Sequence, residues 1–367
     1  MFQRLLLRAR PRLIVLLALL PGLIAIVFTG IGALGGNATR PTAAPPVTGQ
    51  VTPTAASILP VNGRWRPTTL KIETDALIRD PADSTRIVAG TAQGIWTSVD
   101  TGKTWQRDTG PPAHSDVLAL AAGGSPLALY AADSDGRIFR RAGSGKWAAI
   151  GPQPAPGSIF SLAVSHTSSP VVLAGTSGAL YRGEQVEGQW RWKIAARTDQ
   201  SSFAAIVWLP GNGKDALASV FGSAPPVLAS TDAGRTWHPS SQGLPSALPS
   251  VALIVPRAHP STVVLSTMGD GVWQLGATKW TEISKGLPER HAMPLAQGAG
   301  GDRLFAGTMG YGVFTRGAAG AWQPVGTGLT GPAYIVLSLV YVGGGHPTLL
   351  AGTGNGVYRY EAGTAGS

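Results

Sequence analysis

The chain has no cysteine in its 367 residues, which excludes disulfides, thiolate metal sites and a thiol nucleophile. It also carries little charge: Asp, Glu, Lys and Arg together make up 13% of the residues. No glycine-rich phosphate loop, no His-Glu-x-x-His pair and no nucleophile elbow occurs, so the best-marked phosphate, zinc and serine-hydrolase sites are missing. What is abundant instead is glycine (50), proline (29) and tryptophan (11), the composition of many short strands and tight turns around apolar layers.

The formal charge of +10 suggests a polyanion partner until it is divided along the chain. Arg4, Arg8, Arg10, Arg12 and Arg40 lie in the first forty residues with no acid among them, and the remainder holds 24 basic against 19 acidic residues. That remainder is only weakly basic and has no basic run, which argues against a nucleic-acid partner.

Residues 13–34 form an uncharged apolar stretch of 22 residues, enough at ~1.5 Å per residue to span a bilayer's hydrocarbon core. Four arginines precede it. The positive-inside rule then predicts a single-pass cell-membrane protein, with residues 1–12 as a cytoplasmic basic segment and everything after the anchor extracytoplasmic. The alternative is a cleaved signal peptide and secretion, because Gly36-Asn37-Ala38 offers small residues for cleavage and Pro21-Gly22 interrupts the apolar run. Without cysteine a lipoprotein anchor is excluded. Residues 35–60, rich in Pro, Thr and Ala, read as a disordered linker, about 30 Å long as a coil and about 80 Å fully extended.

Beyond residue 61 the chain repeats itself. A small-residue run, a glycine and then an aliphatic–aromatic pair recur as Ala89-Gly90-Thr91 with Gly94-Ile95-Trp96, and as Ala174-Gly175-Thr176 with Leu180-Tyr181. The same unit returns at Ala306-Gly307-Thr308 with Val313-Phe314 and at Ala351-Gly352-Thr353 with Val357-Tyr358. A tryptophan follows each aromatic except the last, at Trp105, Trp147, Trp190, Trp237, Trp280 and Trp322, with gaps of 42, 43, 47, 43 and 42 residues. A period near 42 with four strands per period predicts an all-β protein, a seven-bladed β-propeller over residues 61–361, followed by a tail at 362–367. The last copy stops before its tryptophan, and the strand around Trp65 is expected to complete that blade and close the ring.

Two strings carry a family resemblance: Ser98-Val99-Asp100-Thr101-Gly102-Lys103-Thr104-Trp105 and Ser230-Thr231-Asp232-Ala233-Gly234-Arg235-Thr236-Trp237. Both resemble the Asp-box, or BNR repeat, Ser-x-Asp-x-Gly-x-Thr-Trp. The Gly-Leu-Pro segments at Gly243 and Gly286, with Gly-Leu-Thr at Gly328, resemble the blade connections of the same superfamily of sialidase-like propellers. Its members include sialidases, xyloglucan-degrading hydrolases, sortilin-type receptors and photosystem II stability/assembly factors. The resemblance implies that the Asp-box turn lies on the face away from the ligand, so Ser98, Asp100, Gly102, Trp105, Ser230, Asp232, Gly234 and Trp237 are expected to be structural.

No catalytic constellation is legible. The arginine motif that opens a sialidase site has no counterpart, the nearest string being Thr85-Arg86-Ile87-Val88. Acids expected on the opposite face, Asp135, Asp270, Asp108, Asp116, Asp199 and Glu289, are scattered over different blades. His166, His259 and His346 share one turn position in three blades, too far apart for common metal ligation, and His114 and His291 sit in blade connections. No metal and no cofactor is called for. The one mixed cluster is Glu289-Arg290-His291 with Asp270, Tyr311 and Asn355 at successive turns, which together with Asp135 form the candidate ligand-binding rim. The expected function is a membrane-tethered, non-catalytic module that binds a protein or glycan ligand. The alternative is a sialidase-like, exo-acting glycoside hydrolase using a carboxylate pair, against which the blade connections of about 8 to 12 residues argue.

Overall fold

A computed structural model describes residue 59 and residues 61–363, apart from 224, 289, 299, 318, 319 and 344–346. The expected basic segment and membrane anchor fall outside the described residues, as do Glu289 and His346. Among the described residues no helix is long and apolar enough to cross a membrane. Helical structure there is limited to two single 3-10 turns, Pro111–His114 and Gly331–Tyr334.

The strands pair antiparallel throughout. β1 (Arg64–Pro67) stands alone in sequence. β2 (Thr74–Arg79), β3 (Ile87–Thr91), β4 (Gly94–Ser98) and β5 (Gln106–Arg107) form a four-stranded sheet in that order. β6 (Val117–Gly123), β7 (Ala128–Asp133), β8 (Ile138–Ala142) and β9 (Ala148–Ala149) form the next. β10 (Ser161–Val164), β11 (Val172–Gly175) and β12 (Ser177–Val186) lead into β13 (Gln189–Trp208), which pairs with β12 from Gln189 to Ser202. Its remaining residues, from Phe203 to Trp208, pair with β14 (Ala216–Ser223), followed by β15 (Val227–Ser230) and β16 (His238–Pro239). The far end of β14 also pairs with β17 (Leu248–Ile254), so that β18 (Val263–Thr267), β19 (Val272–Leu275) and β20 (Trp280–Glu282) continue one eleven-stranded sheet. β21 (Leu295–Gln297), β22 (Leu304–Gly307), β23 (Val313–Arg316) and β24 (Trp322–Pro324) form another four-stranded sheet. β25 (Val336–Val342), β26 (Thr348–Thr353) and β27 (Gly356–Glu361) take β1 as their fourth strand, with Trp65 opposite Tyr360.

The pattern of side chains explains the strands. The second strand of a unit is covered on both faces, and β3, β7, β18 and β26 are buried at every position. Such a strand reads as a continuous run of small and branched residues. The glycine of the Ala-Gly-Thr runs has a packing reason. A Cβ on Gly90 would come within 2.8 Å of Val117, one on Gly175 within 2.6 Å of the Phe203 carbonyl, and one on Gly307 within 2.5 Å of Val336. On Gly352 it would come within 2.7 Å of the Thr74 carbonyl. Each glycine thus admits the inner strand of the following sheet, and Gly352 admits that of the first.

Neighbouring sheets are also clamped at their outer strands. The Trp280 amide donates to the Gln242 carbonyl at 2.8 Å, that of Trp322 to Lys285 at 2.8 Å and that of Trp65 to Thr327 at 2.7 Å. The indole N–H groups reach the residue that follows the preceding outer strand: Trp280 to Ser240 (2.8 Å), Trp322 to Ile283 (2.7 Å) and Trp65 to Val325 (2.7 Å). Gly243, Gly286 and Gly328 follow the accepting carbonyls, with φ of 93°, 94° and 107°, and each lies against the carbonyl of the clamped tryptophan. Trp65 is 2% exposed and its ring lies 5.2 Å from that of Tyr360. Replacing Trp65 with alanine is expected to cost about 3–5 kcal/mol. Gly317→Ala, in open space, should be near neutral. Thermal melts of the two variants check this; a Trp65→Ala protein melting within a degree of wild type would contradict it.

Candidate functional site

Turns joining third to fourth strands and those joining second to third strands lie at opposite ends of each sheet. At the first end the two Ser-x-Asp strings form closely matching turns. Ser98 Oγ donates to Asp100 Oδ1 at 2.7 Å and accepts the Gly102 N–H at 2.8 Å. Asp100 Oδ1 takes the Lys103 and Thr104 amides at 3.0 and 2.9 Å, and Oδ2 takes the Thr104 hydroxyl at 2.6 Å. Ser230, Asp232, Gly234, Arg235 and Thr236 repeat the arrangement, with the hydroxyl-to-carboxylate bond again at 2.6 Å. Trp105 and Trp237 each donate an indole N–H to the turn glycine's carbonyl at 3.2 Å. Thr101 and Gly102, like Ala233 and Gly234, are both left-handed, which favours a glycine at the second position.

Two arginines that the sequence reading missed brace these turns. Arg359 donates to the Thr101 carbonyl at 3.3 Å and Arg182 to the Ala233 carbonyl at 2.8 Å, each from the third strand of the preceding sheet. Nothing local marks them, since each partner is more than fifty residues away in sequence. All the oxygens of Asp100 and Asp232 are committed to the turns. Burial opposes ionisation of Asp100, but bonds from Thr104, Ser98 and Lys103 outweigh it and hold the carboxyl below the usual range. The Thr236 hydroxyl and amide do the same, more strongly, for Asp232.

At the other end the structure brings Asp270, Arg290 and His291 together. The Gly271 amide donates to the Arg290 carbonyl at 2.9 Å, and His291 bridges to Met268 across the turn. Arg290 holds φ of 55° and pairs with Glu282. Burial pushes the Asp270 carboxyl up, Glu282 adds to this, and Arg290 and His291 oppose it. In the next unit Tyr311 tops the β22–β23 turn, 40% exposed, and the Gly310 amide donates to the Tyr334 carbonyl at 3.0 Å. Tyr334, 41% exposed, ends the Gly331–Tyr334 turn, which packs beside β26. Asn355 caps the β26–β27 turn there, its amide N–H donating to Thr353 Oγ1 at 3.1 Å. Tyr334 was not among the expected residues, because its exposure follows from the 3-10 turn rather than from any repeat.

Asp135 occupies the same kind of turn, between β7 and β8, but is tied up separately: Arg137 holds it at 2.5 Å while also holding the buried Asp133 at 2.9 Å. Asp116 is buried, and Asp199 lies on β13. Asp108, expected among the rim loops, is corrected by the structure. It follows β5 at the position held after other outer strands by Ser240, Ile283 and Val325, and its carboxylate accepts the Trp147 indole N–H at 2.9 Å in place of a backbone carbonyl. Of the histidines, His259 lies 3.9 Å from Asp302 and His166 is exposed. Among the described residues no three His, Asp or Glu side chains group closely enough to hold a metal ion. The rim end also carries an open cavity of about 470 Å³ beside the β11–β12 turn, with Ser158, Phe160, Tyr181 and Arg197 in its lining.

No family model matches the chain, and no curated relative matches it. Solved structures do. The RRP9 WD40 repeats align with a TM-score of 0.62 at 16% identity, over 83% of this chain and 99% of that one. The Cps50 (Swd1) β-propeller domain of Myceliophteria thermophila aligns at 0.59 and 11%, over 80% and 97%. The extracellular domain of the hybrid two-component system BT4673 from B. thetaiotaomicron aligns at 0.60 and 12%, over 81% of this chain and 39% of that one. At these identities the likeness shows the fold: the chain is an all-β protein with a β-propeller architecture.

The two classes of carboxylate should respond oppositely to pH. Asp232 has a folded pKa below the unfolded one, so its stabilisation is present above about pH 4 and is lost as pH falls through the depressed value. Asp270 has a raised folded pKa, so its ionised form costs stability once pH rises through that value. At pH 7 the melting temperature is expected to fall for Asp232→Asn and to rise for Asp270→Asn. Both differences should shrink in acid; a loss of stability in Asp270→Asn at pH 7 would contradict the assignment.

Proposed function

We propose that the chain is a seven-bladed propeller of the Asp-box kind that serves as a non-catalytic binding or assembly module for a protein or glycan ligand. The observation that carries this reading is the presence of two exposed tyrosines, Tyr311 and Tyr334, on neighbouring segments joined by the Gly310–Tyr334 backbone bond, at the end of the sheets that also carries Asn355. Tyrosine offers a broad, stiff surface with a polar tip, well suited to peptide backbones and sugar rings. Adjacent Asp270, Arg290 and His291 supply charge of both signs. The matching Ser-Asp turns at 98–105 and 230–237 support the Asp-box assignment, and the successive four-strand units support seven blades. A neighbour in the solved structures is described as WD40 repeats and another as an extracellular domain, which fits a propeller presented for recognition.

Tethering is part of the proposal. The uncharged stretch at 13–34, preceded by four arginines, would anchor the chain in the cell membrane with the propeller outside, on a Pro/Thr/Ala-rich stalk. A second reading, sialidase-like hydrolysis, has one observation in its favour: Asp270, with its raised pKa, stands close enough to Glu282 to feel its charge. Glu282 is however engaged by Arg290.

Affinity capture with the full chain, followed by titration of the captured ligand, tests the first reading. Tyr311→Ala with Tyr334→Ala is expected to weaken binding about tenfold or more, whereas Asp100→Asn should leave affinity unchanged. Turnover of chromogenic sialosides by the wild type that disappears in Asp270→Asn would overturn it in favour of hydrolysis.

A further inference from the structure

A second cavity, of about 290 Å³, lies at the opposite end of the sheets from the tyrosines, between the Ser98–Trp105 turn and β8 of the next sheet. Its lining residues, Val99 apart, are of polar types and include three arginines, Arg86, Arg107 and Arg141, with Asp108 as the single acid. Arg141 forms the floor. Its side chain is 8% exposed, Nη1 donates to Asp108 at 3.1 Å, and its guanidinium carbon lies 5.0 Å from the centre of the Trp147 ring. Asp80 stands behind it, 3.8 Å from Nη2 and beyond hydrogen-bond reach, and is shared with Arg86 at 3.4 Å. Asp83 pairs with the outer side of Arg86 at 3.7 Å.

What sets this place apart is unmet bonding capacity. Arg141 Nε, Arg141 Nη2 and Thr97 Oγ1 are all buried without a hydrogen-bond partner, and both residues line the same cavity. Buried donors in native proteins are overwhelmingly satisfied, so three such atoms at one cavity call for an acceptor. The cavity sits near the lower end of the usual size for ligand pockets. The geometry points to a binding site for a small oxyanion, a phosphate, sulfate or carboxylate group, seated over Arg141 and closed from outside by Arg107. A group with several acceptor oxygens on one centre matches the forked donors of guanidinium, which bind such groups through paired hydrogen bonds. Asp108 does not repel it as a bare charge would, because the carboxylate is already committed to Arg141 and to the Trp147 indole. The site joins two consecutive sheets, so its occupant would bridge them. It stands independently of the ligand proposed for the tyrosine rim.

Calorimetric titration of the full chain with inorganic phosphate and, separately, with acetate tests the site, each at ionic strength matched with chloride. The expected result is one saturable site with Kd on the order of 1 mM for at least one of the two. Phosphate binding assigns a phosphate or sulfate group as occupant, and acetate binding a carboxylate. Arg107→Gln, at an exposed position, should weaken binding about tenfold in protein that a thermal melt shows to be folded, and Arg141→Gln should abolish it. Because Arg141→Gln also breaks the Asp108 pair, Arg107→Gln keeps the test independent of folding. Absence of saturable heat with both probes overturns the site, and so does unchanged affinity in folded Arg107→Gln.

Discussion

The structure depends on one repeated contact, the seating of an outer-strand tryptophan on the carbonyls of the sheet before it. A four-stranded antiparallel unit has two faces to cover and cannot cover them alone. The tryptophan covers apolar surface and its two N–H groups fix the depth and angle at which the next sheet docks, while a glycine with positive φ leaves room for the incoming carbonyl. Trp280 and Trp322 make this contact between consecutive four-strand units, and Trp65 makes it between the β21–β24 unit and β1, the strand from the start of the domain that completes the last unit. Trp147 varies it by using the Asp108 carboxylate. The non-local contact is therefore the local one applied once more, and the free edge that β27 would otherwise present is covered by β1.

The two ends of the sheets are built by different physics. At one end the Ser-Asp turns are closed by their own side chains and braced by Arg182 and Arg359, so their most conspicuous groups are spent on holding a shape. At the other end the turns are tied mainly through backbone atoms to the chain entering the next sheet, as at Gly271–Arg290 and Gly310–Tyr334. Backbone ties leave side chains free to vary, which is why that end is where recognition is sought. The Arg141 cavity is an exception at the first end, because there the polar groups are not consumed by the turn.

Much of the architecture was legible from the chain itself. The all-β character followed from the regular return of Ala-Gly-Thr and tryptophan, and the reason is physical: each copy solves the same packing problem, so each needs the same small residue and the same large one. The site was less legible. Asp270 in the β18–β19 turn lies beside Arg290 and His291 of the connection to the next unit, whereas Asp135 belongs to a separate network with Arg137. Asp108 read as a loop acid and proved to be a packing residue, and Arg141, Arg182 and Arg359 gave no signal because their partners are distant in sequence. The merging of sheets through the twenty-residue β13 was equally hidden, since its two parts serve different neighbours.

Hydrogen exchange at the tryptophan amides tests the central claim most directly, namely that the Trp65 contact is equivalent to those of Trp280 and Trp322. All three amides donate to a backbone carbonyl at 2.7 to 2.8 Å across a sheet boundary. The account predicts that they are protected to a similar degree and become exchangeable together in one cooperative opening. A Trp65 amide that exchanges at the rate of an unstructured peptide, while those of Trp280 and Trp322 stay protected, would contradict it.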